Sequence, residues 1–268
     1  MRVLFFGDIV GDIGLQALLI RLPEIKKTFR PDFVIANGEN ACKGSGITYK
    51  QYHALISGGV DCVTLGNHYR GRDQIDDWID EADGILRPLN LKAYFHGVGS
   101  ATYLVGGKEI TITNIMGQGF MKEEVDEPIP SFRDILAASS MIHIVDFHGE
   151  STSEKKLFAF EFAGDVSAIL GTHTHVMTAD AQLLKGRCGF LSDAGFCGKN
   201  ESIIGYSPSS IRAALVEKQR VRFGIDEEGE DELDFVVMDI EDETGACQRI
   251  DGYRYVGGKE ASHVSSHH

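Results

Sequence analysis

Six side chains able to bind a hard or borderline metal stand where apolar runs of the chain stop. They are Asp8 in "LFFGD", Glu39 in "VIANGEN", Asn67 in "VTLGNH", His148 in "IVDFH", and His173 and His175 in "LGTHTH". Open α/β sheets bind ligands outside the carboxyl ends of their strands, so sheet topology alone can bring these six together. Oxygen and imidazole donors without thiolate suit iron, manganese or zinc rather than a cluster or copper. One carboxylate able to bridge, with histidines and amide oxygens on both sides, suits two divalent ions roughly 3.5–4 Å apart. The five cysteines (Cys42, Cys62, Cys188, Cys197, Cys247) are scattered and form no C-x-x-C pair. They offer neither a thiolate site nor a disulfide framework.

Each residue also has an ordinary reading. Asp8 after a first strand can cap a helix, and "GDIVGDIG" distantly resembles a dinucleotide turn, although it lacks G-x-G-x-x-G and no acidic residue closes the second strand. Glu39 can cap a helix, Asn37 and Asn40 can serve a turn, and Asn67-His68 after a glycine can be a turn too. His148 can be a core histidine, which is the reading given to His143, His53 and His96. The H-x-H at 173–175 is more specific, because it puts two imidazoles on one face of an extended segment. Joint occurrence decides: independent turn residues have no reason to choose metal ligands at five successive strand ends.

The elements that must position these residues follow from apolar patterning. "RVLFF" (2–6), "DFVIAN" (32–37) and "DCVTLGN" (61–67) read as buried strands, alternating with helices over "GLQALLIRLPEIKKTF", "TYKQYHALISG" (48–58) and "RDQIDDWIDEA". That rhythm implies parallel strands with covering helices. "ATYLV" and "KEITITNI", joined by Gly-Gly, predict a hairpin, with a helix near 131–139 to follow. "MIHIVDF" (141–147), "SAILG" (167–171), "AQLLK" and "CGFLS" are further strands; a helix near "PSSIRAALVEKQ" precedes a terminal pair, "ELDFVVMDIE" and "ACQRIDGYRYV". So many strands fit an α/β four-layer α/β/β/α sandwich, two mixed sheets face to face with helices outside. One domain is expected over 1–256, with 257–268 a disordered extension or expression remnant.

Composition narrows the partners. The 268 residues carry a formal net charge of −14, which argues against a long nucleic-acid groove. Much of the acidity lies in "IDEEGEDELD" (225–234), read as a solvated loop before a strand. No apolar run is long enough to cross a bilayer, and "MRVLFFGDIVGD" reaches charge and glycine too soon for a secretory segment. The expected setting is the cytoplasm, without membrane contact; a homo-oligomer is compatible with the sequence, which does not set the subunit count.

G-D-x-x-G early, G-N-H in the middle and G-x-H-x-H late form the ordered skeleton of the calcineurin-like metallophosphoesterases. More closely, "GDIVGDIG", "NGENACKGSGIT", "GNHYRGRDQI", "VDFHGESTSEK" and "LGTHTHVMTAD" resemble the YmdB-type branch of that superfamily, over the chain from Met1 to about Val256. The resemblance implies a metallophosphoesterase fold and a two-metal phosphodiesterase acting on cyclic nucleotides, 2′,3′-cyclic ones above all, with iron first and manganese or zinc as alternatives. It implies that Asp8, Glu39 and His175 hold one metal, and that Glu39, Asn40, Asn67, His148 and His173 hold the other. A hydroxide generated between the metals would attack phosphorus, and His68 would protonate the leaving oxygen. Two departures from the broader superfamily stand out: Val10 replaces a histidine, and Glu39 replaces a bridging Asp. Tyr69 and Arg70 stand where Thr-Trp is expected. Asp146, Glu150, Asp180 and Asp193 flank the implied ligands and can orient them or serve as surface and capping acids. Two other readings compete: a regulatory nucleotide-binding protein whose turnover is incidental, and a phosphomonoesterase, for which Arg70 and Arg72 are the nearby cations.

Overall fold

The computed structural model describes residues 1–92 and 96–266, so the last two residues of the C-terminal stretch lie outside it. In chain order the elements are β1 (Arg2–Ile9), α1 (Gly11–Phe29), β2 (Phe33–Asn37), α2 (Tyr49–Ser57), β3 (Cys62–Thr64), β4 (Ile85–Leu86), β5 (Ser100–Val105) and β6 (Lys108–Met116). There follow α3 (Pro128–Leu136), β7 (Ile142–His148), α4 (Thr152–Phe162), β8 (Ala168–Thr172), β9 (Gln182–Leu184), β10 (Cys188–Leu191), β11 (Phe196–Lys199), α5 (Pro208–Leu215), β12 (Asp231–Ile240), β13 (Cys247–Val256) and β14 (Lys259–Ser265).

Two sheets result. The first runs β14-β13-β12-β11-β1-β2-β3-β4, the second β5-β6-β7-β8-β10-β9. Strands β11 and β1 to β4 are parallel, as are β6, β7, β8 and β10; antiparallel strands close both edges of the second sheet and the β14 edge of the first, whose other edge is the parallel β4. Strand β1 explains its own place: Leu4 and Phe6 join Leu18 and Leu22 of α1 on one face, while Val3 and Phe5 join Ile112, Ile144 and Leu170 of the second sheet on the other. A strand covered on both faces must be a continuous apolar run, and "VLFF" is one. Beyond the second sheet, Phe132 of α3 and Phe158 and Phe162 of α4 form a third core with Val145 and Ile169. Three cores between four layers make the expected α/β/β/α sandwich.

Three expectations about the elements are corrected, and one helix lies outside them. Residues 72–82 form two 3₁₀ turns, Asp73–Asp77 and Ile79–Glu81, not a helix. Ile75, Trp78 and Ile79 recur at a spacing that serves either form, and Trp78 leaves the helical region at φ −139° to stack on Tyr52. Helix α4 has no counterpart in the apolar pattern, because Leu157 and Phe160 are exposed while Lys155 is buried. The stretch 259–265, expected as disordered, is β14, a hairpin partner of β13 across Gly257-Gly258 at φ 57° and 80°. The acidic stretch 225–234 is no solvated loop throughout, since Glu232 and Asp234 are buried in β12. No helix of the described residues is long and apolar enough to cross a membrane.

Candidate metal centre

The carboxyl ends of both sheets come together at one cleft. The first sheet delivers Asp8 from β1, Glu39 and Asn40 just past β2, and Asn67 and His68 past β3. The second delivers His148 as the last residue of β7, and His173 and His175 past β8. The structure brings all eight into one connected network.

Glu39 lies at its middle, with no exposed surface. Its Oε1 is 3.2 Å from His148 Nε2 and accepts from Asn40 Nδ2 at 3.0 Å, while Oε2 accepts from the backbone N–H of His68 at 2.9 Å. Asp8, also fully buried, accepts from the backbone N–H of His173 at 3.0 Å and from Asn40 Nδ2 at 3.3 Å, and lies 3.7 Å from His175 Nε2. His148 Nε2 is 2.9 Å from Asn67 Oδ1 and 3.2 Å from His173 Nδ1. Donor atoms of Glu39, His148 and His173 lie within 4.8 Å of one another. Glycine is obligatory at 66 in this packing, because a Cβ there would collide with Glu39 Oε2 and with the His148 ring.

The H-x-H segment is not extended as expected. His173 has φ 104° and His175 φ 60°, a region that side chains other than glycine seldom occupy. Two carboxylates hold it there: Asp8 takes the N–H of His173, and Asp193 takes that of Thr174 at 2.9 Å. Strain of this kind persists where surrounding bonds over-determine it. The tight turn aims both imidazoles at the cleft, where an extended strand would carry them past it.

The electrostatics follow from burial and pairing. Burial raises the Asp8 carboxyl, only partly opposed by His175 and His148. Burial would raise Glu39 too, but the charge of His148 and hydrogen bonds from His148 and His68 outweigh it and hold the carboxyl well below the ordinary range. Burial would lower His148, yet Glu39 pushes it up to about 9. His173 falls to about 3 through burial and the neighbouring His148. The hydrogen bond to Glu39 raises His68 above its ordinary value.

The flanking acids differ in role. Asp146 is buried and accepts from Asn37 Nδ2 at 3.1 Å and Thr172 Oγ1 at 2.7 Å; Thr172 Oγ1 is in turn 2.8 Å from His148 Nδ1. A chain Asp146–Thr172–His148 thus fixes the ring that faces Glu39. Asp193 pairs with buried Lys155 at 3.0 Å, and Lys155 also donates to the Thr172 carbonyl at 2.9 Å. Glu150, half exposed, lies 3.3 Å from His173 Nε2. Asp180 binds Thr178 and Ser192 and holds the β8–β10 connection, away from the donors. Asn37 is the strand-end residue expected of it, and its Oδ1 also accepts from the N–H of Glu39 at 3.1 Å.

Sequence reasoning missed Thr172, Lys155, the Ile204 carbonyl that accepts from His175 Nδ1 at 2.9 Å, and Tyr206. Ile204 and Tyr206 line the cleft, of about 310 Å³, together with Glu39, Asn40, His68 and His175. Neither Arg70 nor Arg72 lines it: Arg70 pairs with Asp76 at 2.7 Å, and Arg72 donates to the Cys42 carbonyl. Val10 is buried against Gly205, an apolar residue packed beside the donors. His143 bonds Thr113 at 2.8 Å inside the second sheet, the core role read for it; His53, bonded to Ser57 at 3.2 Å, and His96, paired with Asp80 at 2.7 Å, are exposed instead and correct the core reading given to them. The donor set fits divalent cation binding: two buried carboxylates, three imidazoles and two amides converge, and buried charge persists where it is paired or coordinates metal.

Comparisons with known proteins agree with this architecture. The sequence model of the YmdB-like protein family matches residues 4–252. A 2′,3′-cyclic-nucleotide 2′-phosphodiesterase of Bacillus subtilis (strain 168) is 36% identical over 254 residues, covering 94% of this chain and 96% of that protein. Among solved structures, a novel phosphatase from Mycoplasma pneumoniae is 30% identical with a TM-score of 0.90, covering 96% of this chain and 93% of that one. A hypothetical protein from Thermus thermophilus is 35% identical with a TM-score of 0.88, covering 96% of this chain and 99% of that one.

Proposed function

The chain belongs to the YmdB-like protein family, and from that premise we propose that it is a metal-dependent phosphodiesterase hydrolysing cyclic nucleotides, 2′,3′-cyclic ones above all. The observation that carries the reading is Glu39, a buried carboxylate whose Oε1 meets both Asn40 Nδ2 and His148 Nε2, in a network that reaches Asp8 and His175 through Asn40 and His173 through His148. Asp8, Glu39 and His175 would hold one ion; Glu39, Asn40, Asn67, His148 and His173 the other. Iron is the first candidate, with manganese and zinc behind it. When bound, the ions supply Lewis acidity toward phosphoryl oxygens and activation of water at neutral pH.

The chain's own residues supply the rest. His68 Nδ1 rests 2.9 Å from Asn40 Oδ1, and its backbone is tied to Glu39, so Nε2 is left to meet a leaving oxygen. The hydrogen bond to Glu39 raises its pKa, the direction that favours a general acid. As the water oxygen bonds to phosphorus, the bond from phosphorus to one ribose oxygen breaks. That oxygen takes the His68 proton, and the proton released by water restores the ring. Asn40 presents its amide nitrogen to Asp8 and Glu39, so its oxygen would become a ligand only by turning away from His68. A diester fits better than a monoester, because Arg70 and Arg72 stand outside the cleft and neither is placed to clamp a second negative charge. Scattered free cysteines suit a cytoplasmic setting.

The test pairs metal analysis of the purified protein with a panel of 2′,3′- and 3′,5′-cyclic nucleotides and a phosphomonoester. Two equivalents of metal and fastest cleavage of 2′,3′-cyclic substrates are expected. Fastest cleavage of the monoester would overturn the diester assignment, and metal with bound nucleotide but no turnover would make the protein a regulatory binder.

A further inference from the structure

A second cavity, of about 430 Å³, adjoins the metal centre, within the roughly 300–1,000 Å³ of small-molecule sites. It lies between the β12–β13–β14 edge of the first sheet and the loops after β8 and β11. His175 and Ile204 line both this cavity and the cleft at Glu39. The Phe196 ring forms one wall, parallel to His175 within 9° at 6.1 Å between centroids.

Charged side chains of β12 and β13 are among the residues that line it. Asp234 is 2% exposed; its Oδ2 accepts from the Phe196 N–H at 3.2 Å, while Oδ1 has no partner. Arg254 stands directly opposite Asp234 across β12 and β13 and donates to buried Glu232 at 2.7 Å, while its Nε has no partner. Both unpaired atoms are themselves covered, so the group that offers donors to the cavity is the guanidinium of Arg254, on a side chain 43% exposed. The charge there is nearly balanced: Arg254 offsets Glu232, and burial favours the neutral form of Asp234. A second phosphate would face two acids. A flat ring with apolar faces and a hydrogen-bonding edge meets an aromatic wall and the Arg254 guanidinium.

We propose that this cavity is the nucleobase subsite: a cyclic nucleotide with its phosphodiester at the Glu39 centre lays its base past His175 into the cavity, where Arg254 meets the base edge. The proposal rests on the phosphodiesterase reading above. Ser262, exposed on edge strand β14, lines the cavity without touching the centre, so Ser262→Trp fills it with little risk to the fold. Arg254→Gln removes one edge contact by a different route.

Steady-state kinetics would compare both variants with the parent chain on 2′,3′-cyclic AMP and GMP and on glycerol 1,2-cyclic phosphate, a base-free five-membered diester. Expected is a rise in KM of about tenfold on the nucleotides, the loss of roughly one good contact, with glycerol cyclic phosphate and metal content unchanged within about twofold. Equal losses on all substrates, or none, would overturn the subsite. So would a parent chain that cleaves the base-free diester as efficiently as the nucleotides, leaving the phosphodiesterase reading intact. Should no diester be cleaved, that reading fails by itself, and calorimetry with the same nucleotides decides the cavity. Binding abolished in Ser262→Trp upholds it, and absence of binding to the parent chain overturns it.

Discussion

At the scale of the residue, Glu39 and His68 make separable claims. Glu39→Gln keeps the shape but removes the buried charge at the middle of the network, which the proposed function makes a metal bridge. Metal retention and turnover should each fall by at least about 10²-fold while circular dichroism stays unchanged; a fully active variant would remove Glu39 from the bridging position. His68→Ala should keep the metals yet slow cleavage by roughly 10²–10⁴-fold, least for leaving groups such as p-nitrophenolate that need no proton. An equal loss across leaving groups would argue against the acid role. Six of the eight residues that meet at the cleft are legible as polar donors at strand ends, which have few other reasons to accumulate there; Asn40 and His68 are reached only through the family resemblance. Thr172 and Lys155 are not. A threonine at a strand end fits almost any environment, and a lysine in "STSEKK" reads as solvated until Asp193 and the Thr172 carbonyl are seen around its ammonium.

Among the elements, local rules are readable and their competition is not. The same Gly-Gly device joins β5 to β6 and β13 to β14, with φ 57° and 83° in the first pair and 57° and 80° in the second. The first hairpin is legible because Ile and Val fill its strands; the second is not, because "KEASHVS" carries one large apolar residue and is held by backbone pairing at a sheet edge. The H-x-H turn escapes for the opposite reason, since two distant carboxylates override the extended preference of the chain. Helix α1 carries Pro23 on an exposed face inside its span, where the ring removes one backbone donor. Pro23→Ala should therefore stabilise the protein by about 1–2 kcal/mol, the helix-interior penalty less the entropy regained by the unfolded chain, as measured by urea denaturation. No gain would mean that the helix has already relaxed around the proline.

For the whole molecule, the buried histidine of the second sheet sets a pH dependence of folding. His143 is depressed to about 3 by burial, against about 6.5 in an unfolded chain. A depressed histidine is neutral in the fold, so its contribution is intact above about pH 6.5 and is lost as acid protonates the unfolded state. Stability should drop by about 2 kcal/mol from this group between pH 8 and 5, and His143→Gln should flatten that part of the profile by the same amount; an unchanged slope would sink the assignment. The layering is legible from alternating strands and helices, whereas the pairing of two separate sheet edges at one cleft is not, because no local signal encodes which strand ends face each other. That division has a mechanical side. Asp8, Glu39, Asn40 and Asn67 ride on one sheet, and His148, His173 and His175 on the other. A cation gripped from both would rivet the two halves together across the apolar seam between Phe5 and Ile144. Its escape to a chelator would then be gated by how often that seam breathes, making the lifetime of the loaded protein a clock for interlayer opening rather than a measure of ligand affinity.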